Sequence, residues 1–202
     1  ACDDDEEIDI LRPIEDVVVT VRDTDYNFQA AQTFSIADSI VHVSPGNGTI
    51  LALSREHDDE ILLAVRQNLI ARGYTPNVDP GRVQSDFVVL VGVTAQQETI
   101  VFDEHPVEDW IWYEGWSFDS RIDDTWMFAY PPVAVRDVDV GTIVVELVAT
   151  TQVNPLAREI PTVWAGAGRG ILDGTSNVNR VVDAINEMFR QSPFLVSGPL
   201  PR

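Results

Sequence analysis

The chain has 202 residues, 45% of them hydrophobic, which is enough for one domain with its own hydrophobic core. It carries 33 acidic residues against 13 arginines and no lysine, for a net charge of −20. A field of this sign repels nucleic-acid phosphates, so nucleic acid is excluded as a partner, and it disfavours an anionic membrane surface as a partner for the folded body.

The N-terminal segment begins with a small residue and the chain's single cysteine. Ala1-Cys2 resembles the junction at which a bacterial lipoprotein is processed and its cysteine acylated. The acids that follow it, Asp3, Asp4, Asp5, Glu6 and Glu7, resemble the signal that exports lipoproteins to the cell surface in one branch of Gram-negative bacteria. We therefore expect residues 1–16 to form an acidic tether, anchored by acyl chains on Cys2. The alternative is an ordinary thiol beside a disordered acidic terminus.

This interpretation of Cys2 predicts an outer-membrane protein that faces the cell surface, with the periplasmic face as the alternative. A single cysteine permits no intramolecular disulfide and no cysteine-based metal cluster. No stretch of the sequence approaches the roughly 20 apolar residues that are needed to span a bilayer.

The first half of the body predicts two strands and a helix. Residues 17–21 and 33–37 are rich in β-branched and aromatic side chains, which favours strands. The helix follows, with Asp58 or Ser54 as its cap and Gly73 as the left-handed residue beyond its end. Its apolar positions recur at helical spacing, at Ile61, Leu62, Val65 and Leu69.

The second half predicts more strands and a closing helix. Residues 86–94 are almost uniformly apolar, which indicates a central strand, and 141–150 and 162–165 predict two more. The closing helix ends at Pro193 and carries one apolar stripe, formed by Val178, Val181, Val182, Ile185, Met188 and Phe189. This order predicts a single two-layer α+β domain over residues 17–196, with a mainly antiparallel sheet, two helices packed on one face, and a tail at 197–202.

Several short stretches, in the same order, resemble the domain of unknown function family 4136. They are VVVTVRDTDYNF with Gln32-Thr33-Phe34, Ala71-Arg72-Gly73-Tyr74, Ser85-Asp86-Phe87-Val88-Val89, Val140-Gly141-Thr142-Ile143, Val163-Trp164-Ala165-Gly166, and the closing helix running into Ser192-Pro193-Phe194. The resemblance covers residues 17–195. It implies a bacterial envelope lipoprotein with no established enzymatic activity, and it provides no catalytic residues to assign.

An aromatic segment at residues 110–130 is the strongest candidate for a binding surface. Its candidate interface or ligand residues are Trp110, Trp112, Tyr113, Trp116, Trp126 and Tyr130. Three interpretations stay open: a hairpin that packs on the core, a protein interface in which Trp and Tyr dominate the energetics, or a glycan or small-ligand site.

The remaining motifs lack the spacing that their chemistry requires. His57 is followed by acids but has no second histidine at helical spacing, so it suits the start of a helix better than a metal site. Gly166-Ala167-Gly168-Arg169-Gly170 lacks the Gly-Lys-Ser/Thr ending of a phosphate loop and predicts a flexible strand-to-helix connection. We therefore expect no metal, no cofactor and no enzyme, with a hydrolase based on paired carboxylates as the remaining enzymatic alternative.

Together these features predict a non-catalytic, lipid-anchored envelope lipoprotein that acts as a structural or accessory protein. Its expected partners are the membrane, through the acyl chains on Cys2, and an envelope protein or a multi-subunit assembly. The alternative is a surface lipoprotein that binds a glycan or small ligand through residues 110–130.

Overall fold

The computed structural model describes residues 18–43, 55–79, 82–94, 105–106, 127–129, 142–168 and 178–198. Its strands are β1 (Val18–Arg22), β2 (Thr33–Ile36), β3 (Val41–Val43), β4 (Thr75–Pro76), β5 (Phe87–Thr94), β6 (His105–Pro106), β7 (Met127–Ala129), β8 (Thr142–Ala149) and β9 (Glu159–Gly168). Its helices are α1 (Asp58–Ala71) and α2 (Val178–Arg190), and a single 3-10 turn covers Phe28–Ala30.

The strands form one open, mixed sheet in the order β4-β2-β5-β8-β9-β7-β6, with β1 paired to β9 and β3 paired to β5. The long pairings β5–β8, β8–β9 and β1–β9 are antiparallel. The parallel pairings are shorter and involve β2, β3, β4 and β7. Since α1 lies between β3 and β5 in the chain, it carries the backbone to the other end of the sheet before β5 starts, which makes these two strands parallel. The α+β prediction is confirmed, with a sheet that is mixed.

One face of the sheet packs against both helices. Alternate residues of β5 and β8 point to this face, because successive side chains of a strand alternate. They join the apolar stripes of α1 and α2 in one cluster, which includes Phe87, Val89, Val91, Ile143, Val145, Leu147, Val65, Leu69, Val181, Ile185, Met188 and Phe189. The helix stripes predicted from the sequence are therefore buried, except that Val178 and Val182 of α2 are partly buried at its margin.

The opposite face of the central strands is buried as well. Leu90 of β5 is 1% exposed and Val148 of β8 is fully buried, although both point away from the helices. Ala165 and Ala167 of β9 pack with Val144 on the same side. Burial on both faces explains why β5 is an almost unbroken apolar run rather than an alternating one.

α1 begins and ends as its sequence signals predict, apart from the residue at its N-cap. The cap is His57, and the acids Asp58, Asp59 and Glu60 fill the first turn, where the positive end of the helix dipole favours them. Gly73 follows the helix in the left-handed region, with φ +88°, and its N–H donates to Ile70 O at 2.9 Å. Within the described part of the chain, no helix is both long and apolar enough to cross a membrane.

β9 is longer than the strand predicted at 162–165, and it contains a bulge. Leu147 pairs with Trp164 while Val148 pairs with Thr162, so Val163 is an extra residue on β9. As a result Val163 and Trp164 both join the helix-side core. The expectation of a flexible connection from Gly166 onward was wrong for its first three residues, which continue β9 to Gly168. The physical reason is packing: Gly166 lies directly against Met188 of α2.

Candidate functional site

The sequence-predicted site residues lie outside the described residues. This holds for the anchor Cys2, for the acids Asp3, Asp4, Asp5, Glu6 and Glu7, and for the aromatic candidates Trp110, Trp112, Tyr113, Trp116, Trp126 and Tyr130. Their roles stay predictions. The structure instead describes the parts of the sheet at which both segments join the domain.

The aromatic segment joins the sheet at one edge. Pro106 of β6 pairs with Met127 of β7, and β7 pairs in turn with the first residues of β9. Pro106 and Met127, which border residues 107–126 in the chain, are therefore direct neighbours across two paired strands. The tether joins elsewhere: Val18 pairs with Gly168, the last residue of β9, at the end of the sheet opposite the β8–β9 hairpin.

A cluster of polar side chains lies where β5 begins. Asp86 Oδ2 accepts hydrogen bonds from the N–H of Gln32, the N–H of Thr33 and the Thr33 hydroxyl, each at 2.9 Å. The Asp86 N–H donates back to Thr33 Oγ1 at 3.0 Å. One carboxylate thus holds the start of β2 against the start of β5.

A second group of polar side chains continues this cluster into the interior. The hydroxyls of Ser35 and Ser85 share a hydrogen bond of 2.5 Å, and both residues are buried. Asn77 donates to Ser85 Oγ at 2.9 Å and to Val83 O at 2.5 Å, and the Thr150 hydroxyl donates to Ser85 O. Among the described residues, no histidine or carboxylate accepts a proton from either serine. As far as the described ranges show, the cluster joins the strand ends, and a nucleophilic serine would need a base beside it.

Two tyrosines pack beside this cluster in an aromatic group with Phe28 and Phe87. Burial, with a smaller contribution from the Asp86 carboxylate, raises the pKa of Tyr26 to about 12. Burial also raises the pKa of Tyr74, whose hydroxyl donates to Phe28 O at 3.1 Å. Both phenols are therefore neutral at physiological pH, and neither suits the role of a general base.

A buried carboxylate, which was not predicted from the sequence as a site residue, lies on the sheet face away from the helices. Glu146 of β8 is 5% exposed and pairs with Ala165 of β9, between the apolar side chains of Val144 and Val148. The buried hydroxyl of Thr162 is on the same face. The signal was present in the sequence, because Glu146 is the one charged residue in TIVVELVA, and a buried charge is costly enough to require a reason.

Metal chemistry finds no support in the part of the chain that the structure describes. Over those residues, no three side chains of the types His, Cys, Asp and Glu gather as a metal site would require. His57, considered from the sequence as a possible ligand, is the cap of α1 and lies 3.5 Å from the Glu60 carboxylate.

Comparison with known proteins identifies relatives by domain and fold. The model of the family described as "Domain of unknown function (DUF4136)" matches residues 18–194. A crystal structure of a DUF4136 family protein from Bacteroides thetaiotaomicron is similar, with a TM-score of 0.65 and 26% identity over 90% of this chain and 97% of that one. No curated protein matches the sequence.

Two other solved structures show weaker similarity. The PelC dodecamer from Paraburkholderia phytofirmans has a TM-score of 0.43 and 12% identity, covering 90% of this chain and 98% of that one. A PDZ domain protein from Parabacteroides distasonis has a TM-score of 0.46 and 11% identity, covering 91% of this chain and 37% of that one.

Proposed function

The chain belongs to the DUF4136 family, a domain of unknown function, and from that premise we propose that it is a lipid-anchored, non-catalytic protein of the cell envelope. In this proposal it acts as a structural or accessory protein through contacts with other proteins. The anchor is Cys2, and the location is the outer membrane, facing the cell surface.

The proposal that the protein is not an enzyme is supported by the hydrogen bonds of the polar cluster at the start of β5. Asp86, Thr33, Ser35 and Ser85 direct their hydrogen bonds at one another and at backbone groups of neighbouring strands. A catalytic carboxylate or serine needs a lone pair or proton that is directed at a substrate and a partner that adjusts its pKa. Here the same atoms hold β2 against β5, so the cluster supports a scaffold rather than a reaction centre.

The anchor rests on the sequence Ala1-Cys2 and the acids behind it. Acyl chains gain free energy for every CH₂ group that they bury, and stable anchoring needs more than one chain. The first strand starts at Val18, and an extended chain from Cys2 to Val18 can span about 55 Å. The repulsion among the acids favours an extended tether, which would hold the acidic domain away from an anionic surface.

The protein contacts are assigned to the aromatic segment at residues 110–130, most of which lies between β6 and β7 in the chain. Tryptophan and tyrosine are the residues most enriched at energetically dominant interface positions. We therefore assign the proposed interface to Trp110, Trp112, Tyr113, Trp116, Trp126 and Tyr130. A glycan-binding role of the same residues is the alternative, and it predicts a change in tryptophan fluorescence when a polysaccharide is added.

Affinity purification from native membranes tests the anchor and the partner together. The tag is placed at the C-terminus, and the N-terminal peptide is analysed by mass spectrometry. We expect the mass of acyl chains on the Cys2 peptide and co-purified envelope proteins, and we expect Cys2→Ser to leave the membrane fraction. An unmodified Cys2 in membrane-bound protein would contradict the anchor.

A matched variant separates the partner from the anchor. Replacing Trp110 and Trp112 by alanine is expected to remove the co-purified proteins while the acylated peptide stays. If the wild-type protein purifies alone, as a monomer, the proposal of protein contacts is wrong even if Cys2 is acylated. If a polysaccharide changes the tryptophan fluorescence and no protein co-purifies, the glycan alternative replaces it.

A further inference from the structure

We draw no further inference here: the strongest candidate, the buried Glu146 carboxylate on the face of the sheet away from the helices, carries none, because nothing in the described part of the structure shows which groups cover that face.

Discussion

Gly166 of β9 lies so close to Met188 of α2 that a Cβ atom on the glycine would be 2.9 Å from Met188 Sδ and 3.1 Å from Met188 Cβ. The absence of a side chain at this position lets the helix approach the sheet. Glycine in the interior of a strand usually weakens the strand. At position 166 it is needed because it leaves room for the Met188 side chain.

Gly166→Ala is expected to lower the free energy of unfolding by about 1–3 kcal/mol, because the added methyl group overpacks the helix–sheet interface. Urea denaturation followed by circular dichroism measures the loss. The Met188→Ala variant serves as the control. In that variant Gly166→Ala should lower the free energy of unfolding by less than about 0.5 kcal/mol, because the Met188 side chain that the new methyl group would contact is absent. Equal costs in the two backgrounds would show that the contact is not the cause.

The side chain of Trp164 is fully buried, and its indole N–H donates to Ser192 Oγ at 2.8 Å. Ser192→Ala leaves this donor without an acceptor in the core, so we expect a loss of about 1–3 kcal/mol in unfolding free energy. In a Trp164→Phe background, which has no donor, the serine change should have a much smaller effect. A double-mutant cycle measured by urea denaturation gives the coupling free energy between Trp164 and Ser192. A value near zero would show that their hydrogen bond does not cause the loss.

Asp86 holds two strand ends together through three accepted hydrogen bonds, so its removal is expected to destabilise the edge of the sheet. We expect Asp86→Ala to lower the unfolding free energy by about 2–3 kcal/mol, since hydrogen bonds to a charged group are lost and two backbone N–H groups lose their acceptor. Asp86→Asn keeps an oxygen and should lose less. Asp183→Ala, at an exposed position of α2, should stay within about 0.5 kcal/mol. If Asp183→Ala lowered the unfolding free energy as much as Asp86→Ala, the cause would be the change in net charge and not the lost hydrogen bonds.

Alkaline pH is expected to destabilise the fold through Tyr74, which is buried, and Tyr26, which is partly buried. Burial raises the pKa of Tyr26 to about 12 and raises the pKa of Tyr74 as well, whereas a tyrosine in the unfolded chain titrates near pH 10. Above pH 10 the unfolded state has lost protons that the folded state keeps, so stability decreases as the pH rises. Below pH 10 both tyrosines are protonated in the folded and the unfolded state, so they do not make the stability depend on pH. The loss of stability due to Tyr26 continues up to about pH 12.

Urea midpoints measured between pH 8 and pH 12 test this dependence. In Tyr26→Phe and Tyr74→Phe the decline above pH 10 should be shallower than in the parent, because one titrating group is missing in each. Tyr74→Phe should also lose about 1 kcal/mol at neutral pH, since its hydroxyl donates to Phe28 O. Identical slopes in all three proteins would exclude the tyrosines as the cause.

The local elements were predictable because their signals lie within a few neighbouring residues. The spacing of Ile61, Leu62, Val65 and Leu69, the acids in the first turn and the left-handed Gly73 define α1 without reference to the rest of the fold. The apolar run of β5 likewise predicted a central strand. These patterns depend on helix and strand periodicity, which is a property of the backbone itself.

Several features of the candidate sites could not be predicted, because they depend on which residues meet across the fold. The acceptor role of Asp86 requires Gln32 and Thr33 to lie beside it, more than 50 positions away in the chain. The buried hydroxyls of Ser35 and Ser85 likewise meet although the two residues are 50 positions apart in the chain.

The sequence by itself determined the charge of the chain, the positions of both helices and the apolar core strands, because composition and periodicity are local quantities. Only the tertiary structure decided the mixed order of the strands, the bulge at Val163 and the use of Gly166 as a strand residue. The physical reason is that strand partners and helix–sheet contacts depend on the packing of residues that are far apart in the chain, and packing is settled only when the whole core is assembled.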